Sequence, residues 1–455
     1  MSAPIEKNKS WKTVRLGDVA KTSSGGTPKR GVAAYYGGRI PWVKSGELGD
    51  STVYETQEKI SQSGLDGSSA KLFPKGTLCV ALYGATVGKL GILGIDAATN
   101  QAVCGIFLPP EIDTRFAYRF LESKRRQLVE SAKGGAQPNI SQEIIRDLQF
   151  PLPPIPEQLW IVAEIEKQFT RLEAGVAALR RVQANLKRYR GAVLKAACEG
   201  RLVPTEAELA KTGNRNAKFE TGEALRARIV TERRQNWRGR GKYTEPTAPD
   251  TAKLRTLPEG WAWVTMPQLG ELNRGKSKHR PRDEASLYGG PYPFVQTGDI
   301  RRSRGKIREH TQTYSELGLQ QSRLWPEGTL AITIAANIAE TALLSYPACF
   351  PDSVVGFVHN CEPTIVRYVE FFLRTAKEKL AQFAPATAQK NINLNVLQKV
   401  AIPLPPLAEQ TRIVAEVERR LSVVDELEAS VSANLKRAIR LRQSILQKAF
   451  TGELS

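Results

Sequence analysis

Residues Pro151–Leu202 read PLPPIPEQLWIVAEIEKQFTRLEAGVAALRRVQANLKRYRGAVLKAACEGRL, and Pro403–Leu454 read PLPPLAEQTRIVAEVERRLSVVDELEASVSANLKRAIRLRQSILQKAFTGEL. The chain contains one stretch twice, 252 residues apart from Pro151 to Pro403. Pro151–Pro154 match Pro403–Pro406, Glu157-Gln158 match Glu409-Gln410, Ile161–Glu164 match Ile413–Glu416, and Gly200 and Leu202 match Gly452 and Leu454. ANLKR at Ala184–Arg188 returns at Ala433–Arg437, out of step with the rest. A period this long excludes a solenoid and implies two copies of a whole domain plus a helix.

Each copy opens on prolines. The prolines of Pro151–Pro156 cannot continue a helix, so the spacing predicts a long helix starting just after them. Apolar residues then recur by heptads at Ile165, Leu172, Leu179, Leu186 and Val193. A second row runs Val162, Phe169, Val176 and turns polar at Gln183 and Arg190. In the second copy the rows are Val417, Val424, Val431, Ala438, Ile445 and Val414, Leu421, Glu428, Leu435, Arg442. Such rows predict a coiled-coil seam. Around 40 residues at ~1.5 Å each give a rod of roughly 60 Å. Two helices in unrelated bundles are the alternative; equal length and matching seams favour their packing on each other. The polar breaks at Gln183, Arg190, Glu428 and Arg442 leave faces for a partner subunit.

A chain of 455 residues can bury two sizeable cores. Its formal net charge of +20 and pI near 9.8 favour a polyanionic partner, nucleic acid first and acidic membrane second. No apolar run is long enough to span a bilayer, and MSAPIEKNKSWKTVRL carries no apolar leader segment. Cys79, Cys104, Cys198, Cys349 and Cys361 show no CxxC spacing and read as buried thiols of a reducing cytoplasm. His279, His310 and His359 are scattered, so no metal site is expected.

Along the chain, Trp11–Val19 reads as a short strand running into a polar segment. Lys21–Arg30, KTSSGGTPKR, reads as a loop whose backbone N–H groups and hydroxyls suit phosphates, or as a plain surface loop. Tyr36–Leu48 returns as Tyr288–Ile300, and Lys71–Leu82 as Arg323–Ile334. Arg115–Ala132 and Arg367–Phe383 are helical by periodicity. Ala136–Ile140 is matched by Ala388–Ile392. LYGATVGKLGIL at Leu82–Leu93 and IAANIAETALLSYPACFPDSVVGF at Ile334–Phe357 occupy the same place yet differ, which suggests two ligands or two halves of one. Between the copies, Thr221–Trp237 predicts a charged helix with Leu225, Ile229 and Trp237 as apolar points. An extended Pro/Gly/Thr-rich linker follows. Across the helix end and this linker, Arg233, Arg234, Arg238, Arg240 and Lys242 form a basic cluster that suits a phosphate backbone or a solvated charged face.

These segments together resemble the specificity subunit of a Type I restriction-modification system, over almost the whole chain. The proline-led PLPPIPEQ and PLPPLAEQ entrances carry the resemblance, with GGTP, YGATVGKLG, Asn100-Gln101, QPNI, KYTEPTAPDTAKLRTLPEGW and the terminal TGEL. The resemblance implies an α+β chain: two tandem α/β target recognition domains, each followed by a long helix, the helices pairing as an antiparallel coiled coil. The segments are residues 1–150 and 257–402 for the recognition domains, 151–202 and 403–455 for the spacer helices, and 203–256 for the linker with its charged helix. It further implies double-stranded DNA with a bipartite target, two modification subunits that use S-adenosylmethionine to methylate adenine, and two restriction subunits that use ATP and Mg. It implies no cofactor in this chain and no membrane.

Positive charge supplies the phosphate attraction, whereas base edges must supply sequence discrimination. Asn and Gln suit adenine, Arg and Lys guanine. The candidate DNA-binding residues are Lys21, Thr22, Ser23, Lys29, Arg30, Lys44, Thr86, Lys89 and Gln137 in the first domain. In the second they are Arg274, Lys276, Lys278, Arg280, Gln296, Arg301, Arg302, Arg304, Asn337 and Gln389. Asn100, Gln101, Asn139 and Asn391 serve equally well as turn or capping residues. No catalytic residues are expected. Pro109-Pro110, Pro153-Pro154 and Pro405-Pro406 lack the flanks of an Asn/Asp-Pro-Pro-aromatic methyltransferase motif. Gly84–Leu90 is one residue short of a phosphate loop, with Leu90 where Ser or Thr is needed. The leading reading is a non-catalytic DNA-recognition subunit. The alternatives are a basic coiled-coil scaffold for partner proteins and an enzyme with a degenerate site.

Overall fold

The computed structural model describes residues 11–132, 139–212, 218–238, 241–278, 281, 283–335, 338–359, 362–382 and 392–454. The chain forms two compact units, Met1–Arg181 with Val431–Ser455, and Val182–Ser430. The strands of the first unit are β1 (Lys12–Arg15), β2 (Lys21–Ser24), β3 (Tyr36–Val43), β4 (Ser51–Val53), β5 (Glu58–Ile60), β6 (Leu72–Phe73), β7 (Leu78–Ala81), β8 (Leu90–Leu93), β9 (Ala97–Thr99), β10 (Val103–Phe107) and β11 (Gln149–Leu152). Five of them make a sheet in the order β2-β10-β7-β8-β4, antiparallel except for the β4–β8 pair.

The apolar run around β7 explains the layering. Leu78, Val80 and Leu82 pack into one core with Phe116, Phe120, Ile161 and Ile165. Cys79 and Ala81 pack into another with Val43, Leu48, Phe73 and Ala97. Alternate residues face opposite sides, so a strand buried on both faces reads as a continuous hydrophobic run. Helices, including Thr114–Glu130, cover one face. A smaller sheet, β5-β3-β9-β6, covers the other.

The second unit contains β12 (Ala262–Val264), β13 (Glu271–Arg274), β14 (Tyr288–Phe294), β15 (Lys306–Ile307), β16 (Gln312–Tyr314), β17 (Leu330–Thr333), β18 (Thr341–Leu344), β19 (Val354–Val358) and β20 (Ile402–Leu404). Its sheet, β13-β19-β17-β18-β15, repeats the first strand for strand. The β14–β16 hairpin repeats β3–β5, and β12–β20 repeats β1–β11. The remaining pairings of the smaller sheet are reduced to bridges, Phe294 with Cys349 and Trp325 with Ala348.

The long helices are Ile155–Cys198 and Leu407–Phe450, 44 residues each. The first starts earlier than its prolines suggest, with Pro156 inside its first turn. A proline is tolerated there because its missing N–H would have no helical partner anyway. The repeated Glu-Gln pair fastens each entrance. Gln158 Nε2 donates to the Pro153 carbonyl at 2.8 Å, and Gln410 Nε2 to the Pro405 carbonyl at 2.8 Å. Glu157 accepts the Trp11 indole N–H at 3.1 Å, and Glu409 that of Trp261 at 3.0 Å. The repeated glycines close the helices: Gly200 and Gly452 take φ of +71° and +74°. The following amides, Arg201 N and Glu453 N, reach back to the Ala196 and Lys448 carbonyls, both at 2.9 Å.

Each unit holds the start of one long helix and the end of the other, which defines an antiparallel pair. In the first unit Ile161, Val162, Ile165 and Phe169 share a core with Ile445, Leu446 and Ala449. In the second, Val193, Leu194 and Ala197 share one with Ile413, Val417 and Leu421. Three of the four polar breaks are not free faces for a partner. Arg190 pairs with Asp425 and, at 3.2 Å, with Glu428. Arg442 reaches Glu122 and Glu173, each at 3.0 Å, with its guanidinium 3.9 Å from the Phe169 ring centre. Pairing these charges inside the seam satisfies them locally. Gln183 is exposed.

The expected charged helix spans Gly222–Gln235, with Thr221 Oγ1 accepting the Ala224 N–H. Leu225 and Ile229 are buried; Trp237 lies beyond the helix end, exposed and edge-on to Tyr243. Cys79, Cys104, Cys198 and Cys349 are buried free thiols, and burial pushes Cys104 and Cys198 up to about 12. Cys361 lies outside the described residues. Among the described residues no helix is long and apolar enough to cross a membrane.

Removing a seam side chain should destabilise its unit. Ile165→Ala is expected to cost about 2–5 kcal/mol in urea unfolding. Ile439→Ala, at a position 74% exposed, is expected to stay within about 0.5 kcal/mol of the parent.

Candidate nucleic-acid interface

Lys21–Arg30 is not the phosphate-cradling loop that its composition suggests. Lys21–Ser24 is β2, an edge strand paired with Cys104–Phe107. The Gly25 and Gly26 amides donate inward, to the Val103 carbonyl at 3.2 Å and the Thr99 carbonyl at 2.8 Å. A Cβ on Gly25 would lie 2.1 Å from the Thr99 carbonyl oxygen, so this close approach is what demands glycine. Thr22 Oγ1 donates to Gln142 Oε1 at 3.1 Å and accepts from Arg146 Nε at 2.7 Å. Ser23 accepts from Lys71 Nζ at 2.9 Å. Lys21 and Lys29 are exposed. Thr86 and Lys89 flank a tight turn whose amides are also spent internally, Gly88 N on the Ala81 carbonyl and Lys89 N on the Thr86 carbonyl, both at 2.9 Å.

Two candidates do converge. Arg30 and Lys44 both reach the Glu58 carboxylate, each at 2.8 Å. The Arg30 guanidinium also lies 4.8 Å from the Tyr36 ring centre and 5.2 Å from that of Trp42. The hydrogen bonds from Arg30 and then Lys44 hold the Glu58 carboxyl below the usual carboxylate range. The cluster sits where the chain leaves β3 and enters β5, in the smaller sheet on the side of the main sheet opposite the helices. A second carboxylate fixes it: Glu47 accepts the Lys44 N–H at 2.7 Å and the Gln57 N–H at 2.8 Å.

The second unit repeats this construction with other side chains. Asp299 accepts the Gln296 N–H at 2.8 Å and the Thr311 hydroxyl at 3.2 Å. Gln296 then donates its side-chain amide to Gln312. In the hairpins Trp42 pairs with Glu58 and Phe294 with Gln312, so Glu58 and Gln312 occupy the same place. Arg302 donates to Asp299 at 2.6 Å. Arg301 and Arg304 are exposed on the same turn, Arg304 in the left-handed region at φ +50°. Arg274 donates to the Asp352 carbonyl at 3.1 Å at the far end of the main sheet, followed by exposed Lys276 and Lys278. Gln137, Arg280, Asn337 and Gln389 lie outside the described residues.

Sequence reasoning missed Glu58 and Gln312. A two-residue shift was the obstacle: Lys44 and Gln296 keep the repeat's offset, whereas Glu58 and Gln312 do not, because the second copy is longer between them. Aligning the two hairpins with a gap finds the pair. Asn100 is a turn residue, its carbonyl accepting the Val103 N–H at 3.1 Å. Among the described residues no group of three or more His, Cys, Asp or Glu side chains is placed to hold a metal.

The family model described as Type I restriction modification DNA specificity domain matches residues 8–178 and 258–437. The chain is similar to the Type I restriction enzyme EcoDI specificity subunit of Escherichia coli, 25% identical over 453 residues, 98% of this chain and 89% of that protein. It is 24% identical over 367 residues to the EcoBI specificity subunit of the same species, 79% of this chain and 70% of that one. A chain from a structure of a type I R-M system superposes with a TM-score of 0.67, at 21% identity, over 99% of this chain and 100% of that one. That likeness shows the fold.

The Glu58 cluster has a pH signature. A carboxylate whose folded pKa is lowered contributes stability above its unfolded value near ~4.3, and that contribution is lost as pH falls through the folded value. Melting of the parent should therefore exceed that of Glu58→Gln by a small margin, under about 1 kcal/mol for so exposed a group. The margin is expected to hold near neutrality and to close below about pH 4.

Proposed function

The chain belongs to the Type I restriction modification DNA specificity family, and from that premise we propose that it is the specificity subunit of a Type I restriction-modification complex. It is a DNA-binding part with no catalysis of its own. Each unit reads one half of a bipartite target in double-stranded DNA. The observation that carries this reading is the strand-for-strand repeat of one scaffold with different side chains at matching surface positions, Lys44 and Glu58 against Gln296 and Gln312. One frame with two chemistries suits two half-sites of different sequence.

The long helices act as the ruler. Each of 44 residues rises ~66 Å, about two turns of B-DNA at ~34 Å each. Two modification subunits dock along them, and the exposed Val182, Tyr189, Val423, Leu427, Ile439 and Leu441 give them apolar surface. Those subunits supply the S-adenosylmethionine site and adenine methylation. Two restriction subunits complete the assembly and supply the ATP and Mg chemistry. The net charge of +20 supports the phosphate attraction, so affinity is expected to fall steeply and linearly in log salt.

The test is methylation of a random DNA library by this chain co-expressed with its modification subunit, read base by base. A two-part motif with a fixed gap is expected; a single continuous motif contradicts the reading. Deleting one heptad from Leu172–Gln183 together with its counterpart should change the tolerated gap, and an unchanged gap in a folded variant removes the ruler. Replacing Lys21–Phe107 with the matching segment of another such subunit should change one half of the motif only.

A further inference from the structure

We propose that Lys44 with Glu58, and Gln296 with Gln312, are the specificity-determining pairs of the two units, the first reading a G·C base pair and the second an A·T base pair. The proposal rests on the reading just given, that each unit addresses half of a DNA target, and adds which side chains do so and for which base.

Both pairs are held by the same device. One carboxylate, Glu47 or Asp299, accepts the backbone N–H of the first member at 2.7 or 2.8 Å. The same carboxylate bonds the residue just before the second member, at Gln57 N or Thr311 Oγ1. The clamp holds Gln57 through its backbone and Thr311 through its side chain, and Glu58 and Gln312 are themselves fixed in the β ladder opposite Trp42 and Phe294. Between the copies the clamp keeps its acidic character while the clamped side chains change from an ion pair to an amide pair. A surface pair contributes little to stability, so packing does not select this difference. The side chains are accessible: those of Lys44 and Glu58 are 28% and 33% exposed, and Arg30 beside them is 57% exposed.

The chemistry of each pair fits one base pair. Lys44 and Arg30 offer cationic donors to guanine O6 and N7, and Glu58 accepts from cytosine N4. Gln296 and Gln312 each offer an amide that donates and accepts, which matches adenine N7 and N6. In the free protein the members satisfy one another. On DNA each exchanges its partner for a base edge, so no donor or acceptor is left unpaired in the interface.

The experiment exchanges the chemistry between copies in the complex with the modification subunit. The double variants are Lys44→Gln with Glu58→Gln, and Gln296→Lys with Gln312→Glu. Each is assayed on the random library, with its melting temperature measured alongside. The first variant is expected to move one position of one half-site from G·C to A·T by about tenfold or more, leaving the other half unchanged. The second is expected to do the reverse in the other half. Wild-type base preferences in both variants overturn the proposal and leave the bipartite reading standing. Loss of all methylation by variants that melt like wild type also overturns it, because exchanged readers must still accept some sequence. Where a double variant melts early, the single changes Lys44→Gln and Gln296→Lys carry the same test through relaxed preference at one position. A wild-type motif with no two-part form contradicts the preceding reading and this one together.

Discussion

Each core is closed by chain that lies far away in sequence. The sheet of the first unit packs on the start of the first long helix, yet its core also takes Ile445, Leu446 and Ala449 from the end of the second and Leu454 from the turn after it. The second unit takes Val193, Leu194 and Ala197 from the end of the first helix. Burying these apolar stripes adds to the hydrophobic contribution that dominates the folding of each unit. It also forces the two helices to run antiparallel, because the start of one must meet the end of the other in both cores. The repeated PLPP-x-x-EQ entrance and the Gly200 and Gly452 exits are the means by which a helix begins and ends in register with that requirement.

The charged residues of the seam follow from the same constraint. An arginine at a core-facing heptad position needs a local partner. Arg442 finds Glu122, which is buried, and lies across the Phe169 ring. Arg190 finds Asp425 and Glu428. Read in sequence, these positions look like interruptions of an apolar row. Their partners come from the other helix or from the recognition-domain helix, at separations that periodicity does not reveal.

Much of the fold was legible because the chain repeats. Matching segments showed that one α/β unit and one long helix occur twice. Short-range composition misled at Lys21–Ser24, which is strand, while Gly25–Arg30 is irregular chain as Gly, Ser and Thr suggested. There the backbone amides complete the sheet and glycine permits close packing on Thr99. Of the candidate DNA contacts, Arg30, Lys44 and Gln296 converge on built clusters. Thr22 and Ser23 are tied to their own domain. Glu58 and Gln312 escaped because the repeat is two residues longer between Gln296 and Gln312 than between Lys44 and Glu58, so the fixed offset does not bring the two positions together.

The repeated sheet and the variable surface are separable: a buried sheet recurs strand for strand, while the side chains where the β3–β5 and β14–β16 pairs meet differ. The most direct measurement is the affinity of the complex with its modification subunits for DNA carrying both half-sites, either one, or neither, at two salt concentrations. Two independent readers predict that spoiling either half weakens binding by about tenfold or more, while every sequence shows the same salt dependence. Equal affinity for all four duplexes, or sensitivity to one half alone, would contradict the account.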